Sequence, residues 1–116
     1  MTSSPSVMVS EYMDGAKQLQ IIVQELQLVV QQAGAMSNQI REMSETQELL
    51  ESQKEGDPVY RQSGGVLVKV SDIAALSEEL EEGKKRLEAH VKLLAEREVE
   101  LREQYEELIS DFEGSK

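Results

Sequence analysis

Residues 58–70 read Pro58-Val59-Tyr60-Arg61-Gln62-Ser63-Gly64-Gly65-Val66-Leu67-Val68-Lys69-Val70, and they interrupt a helical pattern on both sides. Aliphatic, largely β-branched residues flank a Gly-Gly pair. Val59-Tyr60-Arg61-Gln62 therefore reads as one strand, Ser63-Gly64-Gly65 as the turn, and Val66-Leu67-Val68-Lys69-Val70 as the returning strand. In the second strand Val66, Val68 and Val70 share one face. Gly64-Gly65 lacks the further glycines, Lys and Ser/Thr of a phosphate-binding loop, so a turn is the better reading.

Upstream, Glu55-Gly56-Asp57-Pro58 ends whatever precedes it, because the residue before Pro is pushed toward extended geometry. From about Met8 to Lys54 there is no Pro, and apolar residues recur at spacings of three and four. With a at Leu19, Leu26, Ala33 and Ile40, position d falls on Ile22, Val29, Met36, Met43 and Leu50. This is a heptad seam, which Tyr12 and Met8 extend backwards. Val23 and Val30 widen it, which suggests contact with more than one neighbour. Ser4 before Pro5 offers a cap with Pro at the first helical position.

Downstream, Ser71 or Asp72 supplies an N-cap. Ile73, Leu80, Leu87, Leu94, Leu101 and Leu108 then fall seven apart. Val91, Tyr105 and Phe112 take the alternate seam position, which Ser77, Lys84 and Glu98 interrupt. Glu81–Lys85, Glu82–Arg86, Glu88–Lys92 and Glu98–Arg102 are Glu-to-basic pairs four apart, each worth about 0.2–0.5 kcal/mol to a helix. The expected organisation is a flexible N-terminus over 1–7, a coiled-coil helix over 8–54, turn and hairpin over 55–71, a second coiled-coil helix over 72–112 and a flexible C-terminus over 113–116. Two helices of similar length joined by a hairpin pair antiparallel, so their free ends lie together, far from the hairpin.

Composition supports a mainly α fold. The chain has 116 residues, 3% aromatic, 30% charged and without Trp, which suits helices with a narrow apolar seam rather than a globule. Its net charge is -11, and Lys84-Lys85-Arg86 is its longest basic cluster, with Glu81, Glu82 and Glu88 around it. That balance argues against nucleic-acid binding. Without cysteine there are no disulfides, thiolate metal sites or Cys nucleophiles. Apolar runs of a few residues are far too short for a membrane span of roughly 20, and Met1 to Ser10 lacks the pattern of a secretory signal. A soluble cytoplasmic protein without cofactor or metal is the expectation. His90, the only histidine, has no evident catalytic partners on its helix flank, so no enzyme activity is expected.

A two-stranded hairpin is marginal in water and exposes two edges of unpaired N–H and C=O groups. Hairpins from several copies solve this by joining into a larger sheet or barrel. The expected fold is thus a long antiparallel two-helix coiled coil whose central β-hairpin joins an oligomeric β-barrel body. Val59, Tyr60, Gly64, Gly65, Val66, Leu67, Val68 and Val70 are the candidate oligomerisation residues.

Tyr60-Arg61-Gln62-Ser63-Gly64-Gly65-Val66-Leu67-Val68-Lys69 resembles the hairpin signature of prefoldin β subunits: an aromatic, a basic residue, two variable positions, Gly, then an aliphatic run ending in Lys. The likeness covers the architecture of residues 8–112, and one hairpin rather than two resembles the β-type and not the α-type subunit. It implies a cytoplasmic, ATP-independent chaperone of archaeal type in a hexamer of two α-type and four β-type subunits. Hairpins would build a double β-barrel body, and coiled-coil tips would hold unfolded clients and deliver them to a group II chaperonin. Gly34 and Gly83 depart from an ideal coiled coil, since glycine inside a helix costs about 1 kcal/mol relative to Ala; each marks a bend or a close helix contact.

A holdase needs apolar surface that its own fold leaves unsatisfied. The free helix ends carry the candidates: Met8, Val9, Tyr12 and Met13 on one, Leu108, Ile109 and Phe112 on the other. Glu11, Glu107 and Asp111 keep these ends soluble. Taken singly, each apolar residue there reads first as completing the seam and second as client contact. The main alternative is a purely structural coiled-coil tether. A DNA-binding leucine zipper would need a basic helix directly before Ile73, where the Val-rich hairpin stands instead.

Overall fold

The computed structural model describes the backbone of residues 5–53 and 56–114, and the side chains of residues 14–53 and 56–114. Helix α1 spans Pro5–Glu51 and helix α2 spans Ile73–Gly114. Strands β1 (Tyr60–Ser63) and β2 (Val66–Lys69) lie between them as an antiparallel hairpin. The expected class, two long helices around a two-stranded hairpin, is what forms.

Both helices follow their heptads. On α1 the positions Leu19, Ile22, Leu26, Val29, Ala33, Met36, Ile40, Met43 and Leu50 are all buried or half-buried, whereas Gln20, Gln24, Gln27 and Gln31 are exposed. On α2 every member of the seven-residue series from Ile73 to Leu108 is buried or half-buried. The Asp72 carboxylate accepts a hydrogen bond from the Ala75 N–H at 3.0 Å, which makes Asp72 rather than Ser71 the N-cap of α2. The last turn of α1 closes with the Ser52 hydroxyl donating to the Leu49 carbonyl at 2.9 Å.

The chain divides into two compact units, each drawing on both helices. The first comprises residues 1–34 and 92–116. Its core is Ile22, Val29 and Leu101, with Leu26, Leu94 and Leu108 packed against them. Leu101 is fully buried. Across this pair the Arg97 guanidinium reaches Glu25 at 2.7 Å, and Gly15 lies against Phe112. Low numbers on one helix meet high numbers on the other, so the pair is antiparallel. Val23 is half-buried and Val30 44% exposed, so the widened seam extends into solvent on that side.

The second unit comprises residues 35–91 and contains the hairpin. A polar layer interrupts its seam. The Gln47 amide donates to Glu81 at 2.8 Å, and its oxygen accepts from the Lys84 ammonium at 3.0 Å. Lys84 is only 20% exposed and stands 3.8 Å from Glu81. The Gln47 bond and the Lys84 charge hold the Glu81 carboxyl below its usual range. Gly83 is a close-contact glycine, because a Cβ there would come within 3.3 Å of the Met43 methyl, whereas Gly34 faces open space.

Some expectations need correcting. Ser63, read as part of the turn, instead pairs with Val66 as the last residue of β1, which shortens the turn to Gly64-Gly65. Of the four pairs at i,i+4 on α2, only Glu98–Arg102 closes, at 2.9 Å; the other three do not form among the described residues. Glu81 instead accepts a hydrogen bond from the Gln47 amide across the seam and stands 3.8 Å from Lys84 on its own helix. The remaining side chains stay in water, where exposed pairs gain little.

Candidate functional site

Two surfaces stand out, one in each unit. The first is the hairpin. Tyr60 pairs with Lys69, Arg61 with Val68, Gln62 with Leu67 and Ser63 with Val66. Beyond this ladder the Val70 N–H donates to the Val59 carbonyl at 2.8 Å. Directly paired residues face the same way, so Val59, Val66, Val68 and Val70 share a face with Arg61 and Ser63. Tyr60 and Leu67 lie on the other, with Gln62 and Lys69. Gly64 has φ +60° and stands first in the two-residue turn, which is the glycine position of a type II′ turn. Gly65 follows it and completes the turn.

Every residue of both strands is exposed. Val66 is 62% and Leu67 68% exposed, on opposite faces. Val59 and Val70, just outside the strands, are half-buried. The Arg61 guanidinium reaches back to Glu79 on α2 at 3.4 Å, through solvent on both sides. Both faces of the hairpin therefore carry uncovered apolar groups, and neither strand has a third to pair with among the described residues.

The second surface is in the unit formed by residues 1–34 and 92–116. Leu108 is half-buried against the core cluster, and Ile109 is half-buried one residue on. Phe112 is half-buried with its ring over Gly15: a Cβ there would stand 2.9 Å from the ring tip. The absence of a side chain at Gly15 is what lets the ring approach. Met8, Val9, Tyr12 and Met13 belong to α1 by backbone, but their side chains lie outside the described residues.

Beside Leu108 the two helices leave a groove of about 430 Å³. Ile21, Ile22 and Leu108 supply its apolar lining, and Glu25, Glu107 and Asp111 its carboxylates. Arg97 holds Glu25 and raises its own affinity for a proton by doing so. Ile21 is 61% exposed and was not among the residues the sequence singled out. A signal for it existed: in Ile21-Ile22-Val23 only part of the run can face one seam. A second groove of similar size, beside Gln47 and Glu81, has Ala74 as its sole apolar lining residue.

The histidine at position 90 is exposed. Among the described residues no three His, Cys, Asp or Glu gather where they could hold a metal ion, and no helix is long and apolar enough to cross a membrane.

Comparison with known proteins converges on one group. A family profile described as prefoldin subunit matches residues 14–113. The chain is 35% identical over 91 residues to the prefoldin subunit beta of Thermococcus onnurineus strain NA1, covering 78% of each sequence. Its fold matches the crystal structure of the prefoldin beta subunit from Thermococcus strain KS-1 with a TM-score of 0.77, at 27% identity, over 98% of this chain and 95% of that one.

Proposed function

This chain belongs to the prefoldin subunit family, and we propose that it is the β-type subunit of an ATP-independent holdase, which assembles through its hairpin and holds non-native proteins at its helix ends. The observation that carries this reading is the hairpin. Its exposed Tyr60, Val66, Leu67 and Val68 lie on both faces of an unextended two-stranded sheet. Covering a Val or Leu side chain is worth about 1.5–3 kcal/mol; no described residue covers these groups, and other chains would supply that cover. Sister β-type chains and an α-type subunit are the natural partners, in a hexamer of two α and four β subunits with the hairpins forming its barrel body.

The helix ends then serve the client. Leu108, Ile109 and Phe112, with Met8, Val9, Tyr12 and Met13 on α1, provide apolar contact of low specificity at about 25 cal/mol per Å² buried. Methionine adapts its shape to varied partners. Binding of this kind needs no nucleotide, because capture and release follow the exposure of apolar surface on the client. Delivery to a group II chaperonin in the cytoplasm completes the proposed role.

Deleting residues 1–13 and 108–116 tests it. The shortened chain should still co-assemble with its α-type partner, as sedimentation would show, but lose suppression of the aggregation of a heat-denatured reporter enzyme. Undiminished suppression by a still-assembled oligomer refutes the assignment of holding to the helix ends.

A further inference from the structure

The groove beside Leu108 has a composition that the holdase reading alone does not require. Its floor is apolar, built from Ile22 and Leu108, and its rim carries Ile21 in an exposed setting. The charged residues on its walls are all acidic. Glu25 is already matched by Arg97. Glu107 and Asp111 are exposed and make no ion pair among the described residues. The groove in the other unit matches it in size but lacks large apolar residues, so it offers no comparable seat.

We infer that this groove selects, among non-native segments, those in which Leu, Ile, Val or Phe alternates with Lys or Arg; this rests on the proposed holding role. Apolar side chains of such a segment lie on the half-buried Leu108 and the exposed Ile21, above the buried Ile22. A lysine stem lies along Ile21 while its ammonium extends to Glu107 or Asp111, since long basic side chains bury their methylenes and keep the charge in water. Apolar contact supplies attachment, and the carboxylates supply discrimination: like charges on an acidic segment are repelled and basic ones attracted. The net charge of -11 steers the same segments toward the chain from a distance.

The test uses the full chain assembled with its α-type partner and three fluorescent peptides. These share their apolar residues and differ in carrying Lys, Gln or Glu between them. The Lys peptide should bind about tenfold more tightly than the Glu peptide, the scale that a few exposed charge contacts supply, with the Gln peptide between and the spread narrowing as salt rises. Glu107→Gln with Asp111→Asn should remove most of that spread, with the Lys peptide losing affinity and the Glu peptide gaining it. Ile21→Ser should weaken all three peptides without altering helix content.

Equal affinities for the three peptides, with aggregation of the reporter enzyme still suppressed, overturn the selectivity and leave the holding role standing. Loss of all peptide binding together with loss of suppression by the unaltered chain overturns both. A spread that survives the double substitution, or an assembly whose mass falls on Ile21→Ser, overturns the proposal too, because the carboxylates would then be irrelevant or the groove filled by another copy.

Discussion

Among the described residues Leu101 is the one side chain with no exposure, and with Ile22 and Val29 it forms their buried core. Such a core has few neighbours able to close over a void. Leu101→Ala should therefore cost about 2–5 kcal/mol, since a deleted side chain loses its transfer free energy and leaves a cavity. Urea unfolding followed by circular dichroism would measure it. Ile21→Ser, at a site 61% exposed, should fall within about 0.5 kcal/mol of the unaltered chain. The two residues look alike in the sequence, and the heptad register already separates them: Leu101 is on the seam and Ile21 is off it. What the register could not supply was the place of Ile21 in a groove, because its other walls, Leu108 and Glu107, come from a helix more than eighty positions away.

Within each unit polar contacts join the two helices beside the apolar ones. Lys84 and Ser77 stand where the seam of α2 should be apolar, and both are half-buried. Lys84 and Glu81 meet Gln47 on α1, at a position that continues the a series from Ile40. A polar residue at such a site gives up stability and favours the alignment in which its partners are met. Glu81 reports on this layer through pH. Its folded pKa is depressed by the Gln47 hydrogen bond and by Lys84. A depressed carboxyl stabilises the fold fully above its unfolded value, about 4.3 for Glu, and loses that contribution as pH falls through the lower folded value. Glu81→Gln should therefore lie below the unaltered chain in Tm at neutral pH and converge with it in acid. The gap will be small, because Glu81 remains 46% exposed. Thermal scans of both chains across that range would check it, since the two chains differ in this one carboxyl.

For the whole molecule the decisive feature is that the hairpin's apolar surface exceeds what its own chain covers. Replacing Leu67 and Val68 with Glu places charge on both faces of β2. The expected result is unchanged helix content by circular dichroism and a sedimenting mass that drops to that of a single chain. Retention of the full assembly would mean that contacts outside the hairpin hold the subunits together. The acidity of the chain makes this a sensitive test, since a net charge of -11 on each copy opposes association once the apolar contacts are gone.

The helices, their apolar faces and the hairpin were all legible in the amino-acid order, because each rests on a local period: seven residues for the seam, two for the strands, and Gly64-Gly65 for the turn. These depend only on backbone geometry and on which side chains avoid water. Tertiary structure alone decided which residue meets which across the seam. Arg97 with Glu25, Phe112 over Gly15, and Gln47 between Glu81 and Lys84 are pairings across 34 to 97 positions of chain. A heptad permits many alignments of one helix on another, each a whole repeat apart and each burying similar apolar area. The choice among them comes from the summed fit of distant side chains and from the length of the connection, and no local pattern encodes that sum.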